Sequence, residues 1–148
     1  MTRLKNDIVI TALNIEDLHQ IYRLGNEESA FKNSLTPWNI DNISTALASN
    51  VFTAFTAKRK NKILGFIIGD VKDTGAEILW FMVVPQMRNK GIGSALIDSF
   101  LKKADSDEIN NIFIRLLENN LDTINFLYKK GLKINKTFVE LKYDKLTI

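Results

Sequence analysis

The sequence WFMVVPQMRNKGIGSALIDSFLKKA, residues 80–104, decides the fold. Its first part, which ends at the proline at position 85, is apolar on both alternating faces, as is typical of a strand buried on both sides of a sheet. A basic stretch with two glycines follows, and apolar residues then recur at the spacing of a helix: Ile92, Leu96, Phe100, Leu101 and Ala104. We therefore predict a buried strand that passes through a short loop into an amphipathic helix.

The loop between this strand and helix has the spacing R-x-x-G-x-G, formed by Arg88, Gly91 and Gly93. One interpretation is a turn that needs small residues. The other is an anion site, because the first amides of a helix have no internal partners and carry the positive end of its dipole. Glycines let a ligand approach the backbone, and successive amides can point into one concavity. Two other phosphate-binding patterns fail, since the lysine precedes the glycines and Leu96 stands where a dinucleotide fingerprint needs a third glycine.

Strands and helices alternate along the rest of the chain. Strands are predicted for residues 7–13, 51–57, 63–71, 77–84, 112–117 and 136–143. The first helix is predicted over 15–24, after an N-cap at Asn14 with Asp17 three residues later. A second helix is predicted after Asp41 and a third from Gly91. The fourth is predicted over 120–131, where Gly131 ends it. Short polar separators favour an antiparallel meander of the second to fourth strands, and the strand–helix–strand unit over 77–117 requires a parallel pair. The prediction is one α/β (α+β) domain spanning residues 1–148.

Composition excludes several classes of protein. The chain has 148 residues, a formal net charge of +3, no cysteine and one histidine, so neither a disulfide framework nor a metal site is expected. No apolar run is long enough to span a bilayer and no secretory signal is visible, so we expect no membrane partner and a cytoplasmic location. The basic cluster KRKNK, residues 58–62, lacks aromatic residues and is expected to form a solvated hairpin turn, with no nucleic-acid partner.

Two segments carry a resemblance to a known family. Residues 80–104 resemble motif A of the GNAT superfamily of acyl-CoA-dependent N-acyltransferases, and ENNLDTINFLYKKGLK, residues 118–133, is similar to the family's second signature. TPWNI, residues 36–40, resembles the branch that acetylates the N-terminus of ribosomal proteins. The resemblance implies the GNAT fold, with a central mixed and largely antiparallel sheet of six to seven strands and flanking helices. It also implies acetyl-CoA as the cosubstrate and no metal.

The resemblance also implies where the cosubstrate binds. The main chain of Met82 and Val83 would pair with the pantetheine arm, which lies where the two parallel strands diverge, and Asn120 would contact the same arm. The pyrophosphate would be held by backbone amides, with the Arg88 and Lys90 side chains adding charge. The residues that supply these amides are Arg88, Asn89, Lys90, Gly91, Ile92, Gly93 and Ser94.

Glu77 is the candidate catalytic base. It is an acid inside an otherwise apolar strand, where burial would raise its pKa, and it resembles the base of the family's histone acetyltransferases. The alternative is a glutamate at the strand end that reaches solvent or pairs with a lysine.

The family's general-acid tyrosine falls on Leu127 in an ungapped register, with Tyr128 next to it, and we favour departure of the thiolate without a tyrosine. The glutamate of the ribosomal-protein branch falls on Arg115, and Glu118 nearby is expected at the surface. That departure weakens the transfer of the branch's mechanism to this chain.

Other candidate residues have simpler interpretations. His19 is expected at the surface or in packing and Trp80 in the core, whereas Trp38 is open between packing and an acceptor pocket. The sequence thus favours an N-acetyltransferase acting on a primary amine, of a small molecule or a protein. The alternatives are an N-terminal protein acetyltransferase and a CoA-binding sensor without turnover. A homodimer is compatible with each.

Overall fold

The computed structural model describes residues 2–27, 30–48, 52–72 and 75–145. Its centre is a six-stranded sheet in which the strands follow chain order, β1 to β6. The strands are β1 (Thr2–Arg3), β2 (Ile8–Ala12), β3 (Phe52–Arg59), β4 (Lys62–Lys72), β5 (Gly75–Val83) and β6 (Ile112–Ile114). The helices are α1 (Leu18–Glu27), α2 (Ile40–Leu47), α3 (Ile92–Ser106) and α4 (Leu121–Lys129). This mixed α/β arrangement confirms the predicted fold class.

Strands β1 to β5 pair antiparallel, and β5 pairs parallel with β6, as predicted. The KRKNK segment forms the β3–β4 hairpin turn, in which Lys60 has a positive φ of 56°. Positions 49–51 and 73–74 lie outside the described residues. The first range contains the end of the predicted second helix and the start of the predicted second strand, and the second range lies in the predicted turn between β4 and β5.

Side-chain caps set the starts of the first two helices. The amide of Glu16 donates to Asn14 Oδ1 at 3.1 Å and the amide of Asn14 donates to Asp17 Oδ2 at 3.2 Å, which is the reciprocal arrangement of a capping box. This box caps a single 3₁₀ turn that leads into α1. The second helix begins at Ile40, earlier than predicted, because Asn39 accepts from the amide of Asn42 at 2.8 Å and supplies the cap.

The core lies where the helices pack on the sheet. Helix α3 buries Phe100 against Gly69 of β4, where an added Cβ would collide with the Phe100 ring, so the absence of a side chain lets the helix sit close to the strand. Trp80 of β5 is 1% exposed and its Nε1 donates to the carbonyl of Thr36 at 3.1 Å. Trp80 is therefore a core residue, as expected.

Two predicted strands differ from the structure. The strand predicted over 112–117 ends at Ile114, because the chain leaves β5 there and residues 115–117 have no described neighbour for a ladder. The strand predicted over 136–143 is wrong for the single chain, since this segment belongs to no helix or strand and its side chains are exposed. An alternating sequence forms a strand only beside another strand that accepts its main-chain hydrogen bonds.

Candidate active site

Strands β5 and β6 separate part-way along their length. The parallel ladder joins Ala76 to Ile112, and Ile78 to Ile114, and then stops. Beyond this point residues 79–83 of β5 pair with β4 alone, and a bulge at Leu79 shifts the register on that side, since Ile68 pairs with Trp80 and Gly69 with Ile78. Beyond Ile78, β5 therefore pairs with no described strand on this side, which leaves an opening between β5 and the chain that follows β6. We call it the β5–β6 opening.

Main-chain groups of β5 line the opening. The amide of Val84 donates to the carbonyl of Leu64 on β4 at 2.9 Å, so the alternation of an antiparallel ladder turns the main-chain groups of Val83 and Phe81 away from β4. Those of Met82 point toward its β4 neighbour, and its side chain is buried. Of the two predicted pantetheine contacts, only Val83 therefore presents its main chain to the opening, and Phe81, which sequence reasoning missed, presents its own.

The loop before α3 presents a run of free amides at the mouth of the opening. No backbone carbonyl of a described residue accepts from the amides of residues 89–94. Asn89 and Gly91 have positive φ angles of 61° and 84°, and alternation of left- and right-handed residues is the geometry that turns successive amides into one concavity. An added Cβ on Gly91 would meet nothing within 4 Å, so the space in front of this residue is open. We call residues 89–94 the amide cradle.

Arg88 lies beside the cradle and contacts the chain that precedes the loop. Its amide donates to the carbonyl of Pro85 at 3.4 Å, and its Nε donates to the carbonyl of Val83 at 3.1 Å. Arg88 therefore fastens the loop to the end of β5, and the free amides begin one residue later. Lys90, by contrast, is exposed at the cradle and has its charge available there.

Helix α4 forms the far wall of the opening. The rings of Phe126 and Phe81 lie with centroids 6.0 Å apart, and an added Cβ on Gly93 would be 3.3 Å from the Phe81 ring. Lys130, the residue after α4, and Asp98 of α3 form an ion pair at 2.9 Å that joins the two helices. Phe126 belongs to residues 118–133, the segment that is similar to the family's second signature. No other feature of the sequence indicated that Phe126 lines the opening.

Asn120 lies at the N-terminus of α4. It occupies the N-cap position and is exposed, but its side chain makes no capping hydrogen bond. The amide group of this side chain is therefore not used by the helix, consistent with the predicted contact to a bound molecule.

Glu77 lies at the closed end of the opening, one residue before Ile78, the last position of β5 that pairs with β6. It is 3% exposed, with its Oε1 2.9 Å from Lys72 Nζ and its Oε2 2.6 Å from Arg115 Nε. Both carboxylate oxygens thus bind cations whose own side chains are partly in solvent. The predicted alternative, pairing with a lysine, is present in the structure, together with an arginine that the sequence did not associate with it.

Leu127 and Tyr128 point in different directions. Leu127 is 3% exposed and packs in the core, whereas Tyr128 is 46% exposed. Leu127, which aligns with the family's tyrosine in the ungapped register, therefore lies in the core. Glu118 and His19 are both at the surface, as expected.

An aromatic cluster lies beside α1 and α2. Trp38 packs on Phe31, Phe66 and Trp80 with ring centroids 4.7, 5.6 and 5.2 Å apart, and its Nε1 donates to the carbonyl of Tyr22 at 3.3 Å. Trp38 is half-buried and, with Phe31, lines a surface depression whose other lining residues are Gly25, Asn26, Lys32, Ser34 and Pro37. Trp38 therefore both packs and faces a pocket.

The fold and the opening can now be compared with known proteins. The profile of the acetyltransferase (GNAT) family matches residues 15–132. The chain belongs to this family. No curated protein sequence matches the chain significantly. No helix among the described parts of this GNAT chain is long and apolar enough to cross a membrane.

Solved structures share the fold of this GNAT chain at low sequence identity. An aminoglycoside acetyltransferase from an uncultured soil metagenomic sample has a TM-score of 0.73 at 22% identity, over 95% of this chain and 97% of its own. PaiA N-acetyltransferase from Thermoplasma acidophilum, solved with coenzyme A, has a TM-score of 0.72 at 20% identity. The match covers 88% of this chain and 92% of the PaiA chain. The ribosomal-protein-S18-alanine N-acetyltransferase of Escherichia coli has a TM-score of 0.69 at 18% identity. The match covers 84% of this chain and 76% of that enzyme's chain.

Acetyl-CoA is the cosubstrate of GNAT acetyltransferases. The residues present here fit its chemistry: unpartnered amides for an anionic pyrophosphate, and a strand edge at Phe81 and Val83 for an amide-bearing arm. The open space at Gly91 lets such a group approach the amides without a side chain in the way.

Proposed function

We propose that this protein transfers an acetyl group from acetyl-CoA to a primary amine, by direct attack within a ternary complex. The observation that carries the proposal is the separation of β5 from β6 after Ile78, with free amides of the cradle at the mouth of the opening. A thioester that enters along Phe81 and Val83 would meet the closed end of the opening, where Glu77 lies.

The cradle and the strand edge divide the binding between them. Amides of residues 89–94 engage the pyrophosphate, and each charge interaction at a helix terminus contributes roughly 0.3–1 kcal/mol, or up to about 2 kcal/mol when partly buried. The main-chain groups of Phe81 and the amide of Val83 pair with the arm as an added strand would, since the Val83 carbonyl already accepts from Arg88 Nε. Phe126 and Phe81 then exclude water from the arm, because their rings close the opening on one side.

Acetyl-CoA supplies a thioester whose carbonyl carbon the amine attacks, so that a C–N bond replaces the C–S bond and the amine nitrogen loses a proton. Only the uncharged amine is nucleophilic. Deprotonation at pH 7 costs about 4.6 kcal/mol for a lysine-like amine with a pKa of about 10.4, and about 1 kcal/mol for an α-amino group near 7.8. A proton acceptor therefore matters most for lysine-like substrates.

Glu77 takes the amine proton in this proposal, directly or through a water. The Arg115 and Lys72 side chains that bind its carboxylate are 40% and 48% exposed, so they connect the buried carboxylate to solvent. The departing thiolate is protonated by water, since Leu127 replaces the tyrosine and Tyr128 faces away from the core. An acetyl-cysteine route is not available to a chain without cysteine.

The test is thiol release from acetyl-CoA with a panel of acceptors. The panel contains polyamines, aminoglycosides, peptides with a free N-terminus, and lysine peptides whose N-terminus is blocked, with the fully blocked peptide as the negative control. Turnover with any free amine and none with the blocked peptide would support the proposal. Tight binding of acetyl-CoA without turnover on any amine would contradict it and favour the CoA-binding sensor, the alternative that Leu127 supports.

N-terminal acetylation of a protein is the alternative within enzymes. Arg115 stands where the ribosomal-protein branch has its glutamate, and here this arginine binds Glu77 across the two strands. This chain therefore has a positive side chain, Arg115, at the position where the branch has a negative one. Its own carboxylate, Glu77, lies on the neighbouring strand. Turnover confined to peptides with a free N-terminus would select this alternative.

A further inference from the structure

An open cavity lies between α1, the β3–β4 hairpin and the turn that follows β5. Helix α1 contributes Leu24 and Glu27 to its lining, the hairpin contributes Arg59 and Lys62, and the turn contributes Met87. The cavity has a volume of about 330 Å³. That volume is at the lower end of the range of about 300–1,000 Å³ that is typical of small-molecule sites. We call this space the hairpin cavity.

The hairpin cavity is separate from the sites described above. None of its lining residues lines the depression beside Trp38, and none belongs to the amide cradle. Gln20, Leu24 and Glu27 share one face of α1. Gly25, which lines the depression, lies about 100° further around this helix than Leu24. A ligand of the hairpin cavity is therefore a third molecule, beside the cosubstrate and the amine.

Two cations at the hairpin cavity have no acid that neutralises them. Arg59 and Lys62 are opposite each other in the β3–β4 ladder, and neither forms an ion pair with a described residue. Arg59 Nε donates to the carbonyl of Asn6 at 3.2 Å, but this acceptor carries no charge. Arg23, by contrast, is paired at 3.6 Å with Glu27, the one acid among the lining residues. The hairpin side of the cavity therefore has an excess of positive charge.

Apolar side chains form much of the remaining lining. Leu24 and Met87 are half-buried, and Ile63, Leu64 and Val84 are buried. An apolar lining with a few charged groups that fix orientation is the usual composition of a site for an organic molecule. A small hydrated ion would gain nothing from covering leucine and methionine, whereas an apolar group would be removed from water there.

We propose that the hairpin cavity binds a small organic anion with an apolar body, a carboxylate or a phosphate monoester. The anionic group lies at Arg59 and Lys62, because Glu27 and the negative end of the α1 dipole disfavour an anion on the helix side. The apolar body covers Leu24 and Met87. Such a ligand binds together with acetyl-CoA, since the two sites share no lining residue.

The test is an NMR titration of the isotope-labelled full chain with phenylbutyrate, in the presence of saturating CoA. Saturable shifts are expected at the amides around Leu24, Lys62 and Met87, without displacement of CoA. Phenylbutanol has the same body without the charge, and acetate has the charge without the body. Each is expected to bind at least about tenfold more weakly than phenylbutyrate. Phenyl phosphate, compared with phenylbutyrate, shows which anionic group the cations prefer.

Lys62→Gln tests the contact to the anionic group. Loss of one charged partner at a partly exposed site is expected to weaken the binding of phenylbutyrate about 3–10-fold. Lys60→Gln is the matched control, because Lys60 lies in the same hairpin turn and does not line the cavity. Its affinity for phenylbutyrate should stay within about twofold of the wild type, and Lys62→Arg should keep most of the affinity.

Four results would overturn the proposal. Shifts could be absent from the hairpin cavity, CoA could displace phenylbutyrate, or acetate or phenylbutanol could bind as tightly as phenylbutyrate. The fourth result is an equal loss of affinity in Lys60→Gln and Lys62→Gln. That loss would mean that the anion responds to the general positive charge of the hairpin and not to a site.

Discussion

Arg115, the first residue after β6, donates from Nε to the Glu77 carboxylate of β5 at 2.6 Å. The two residues lie where the parallel ladder ends, so this ion pair joins the strands at the closed end of the β5–β6 opening. Glu77 is buried, whereas Arg115 is 40% exposed on its side chain, so the charge pair spans the boundary between core and solvent. The same carboxylate that we propose as the base thus also holds the site's two strands together.

Replacing Glu77 by Gln separates these roles. We expect kcat to fall about 10²–10⁴-fold, the typical contribution of general base catalysis, because the amide cannot take the amine proton. The dissociation constant for CoA is expected to change less than twofold, since the cradle is remote from this end. Loss of the two charged hydrogen bonds should lower the free energy of unfolding by about 1.5–3 kcal/mol. Steady-state kinetics, calorimetry with CoA and urea unfolding measure the three effects.

Asp70→Asn is the matched control for Glu77→Gln. Asp70 lies directly opposite Glu77 on β4, so the same exchange of carboxylate for amide is made one strand away. The control is expected to keep kcat within about threefold. If Asp70→Asn lost as much activity as Glu77→Gln, the proton acceptor would be misassigned within this strand pair.

Gly91→Asp tests the amide cradle. A negative charge there repels the pyrophosphate and neutralises part of the positive end of the helix dipole, so we expect affinity for acetyl-CoA to fall about 10–30-fold, which corresponds to about 1.4–2 kcal/mol. The left-handed backbone also strains the substituted residue by about 1–3 kcal/mol. Gly131→Asp is the control, since Gly131 has φ of 97° and, like Gly91, has nothing within 4 Å of an added Cβ. Gly131→Asp should lose more stability than Gly91→Asp, because a carboxylate is unfavourable after a helix C-terminus and favourable at an N-terminus. Equal losses of affinity in the two variants would remove the cradle from the binding site.

Phe126→Ala tests the wall of the opening. The ring lies against Phe81, so its removal admits water beside the arm, and we expect affinity for CoA to fall about tenfold. Tyr128→Ala, two residues along the same helix, removes a ring of similar size that is 46% exposed, and its affinity should not change. Tyr128→Phe should likewise leave kcat unchanged, and a large loss there would make Tyr128 the general acid despite its position.

The fold could be predicted from the sequence because its signals are local. The apolar run up to Pro85 and the helical spacing after Gly91 each act over neighbouring residues, and the Asn14–Asp17 cap is a contact within one turn. The strand predicted over 136–143 is the instructive failure. Polar and apolar residues alternate from Val139 to Tyr143, but a strand also needs an edge to join, and the sequence pattern does not supply that edge.

The candidate site was less predictable because it depends on contacts between distant segments. The partnership of Glu77 with Arg115 joins residues 38 positions apart, and no local pattern relates them. The bond from Arg88 Nε to the carbonyl of Val83 is similar, since it joins the loop to the end of β5 and the loop motif alone does not predict it. The hydrogen-bond alternation of β5 turns the main chain of Phe81, and not that of Met82, toward the opening. This alternation is set by the pairing of β5 with β4, which the sequence of β5 alone does not specify.

Gly25→Ala tests whether the aromatic cluster governs the acceptor. An added Cβ on Gly25 of α1 would collide with the Trp38 ring, so the ring must move, and we expect a loss of about 1–3 kcal/mol in the free energy of unfolding. Because Trp38 also lines the surface depression, KM for the amine should rise while KM for acetyl-CoA stays constant. Gly69→Ala is the control, since its Cβ would collide with Phe100 in the core and cause comparable overpacking away from the depression. A change of amine KM in both variants would mean that it reports general loosening of the fold, and a change in neither would place the acceptor elsewhere. Tryptophan fluorescence confirms that the ring has moved, because the chain has only two tryptophans and Trp80 is fully buried.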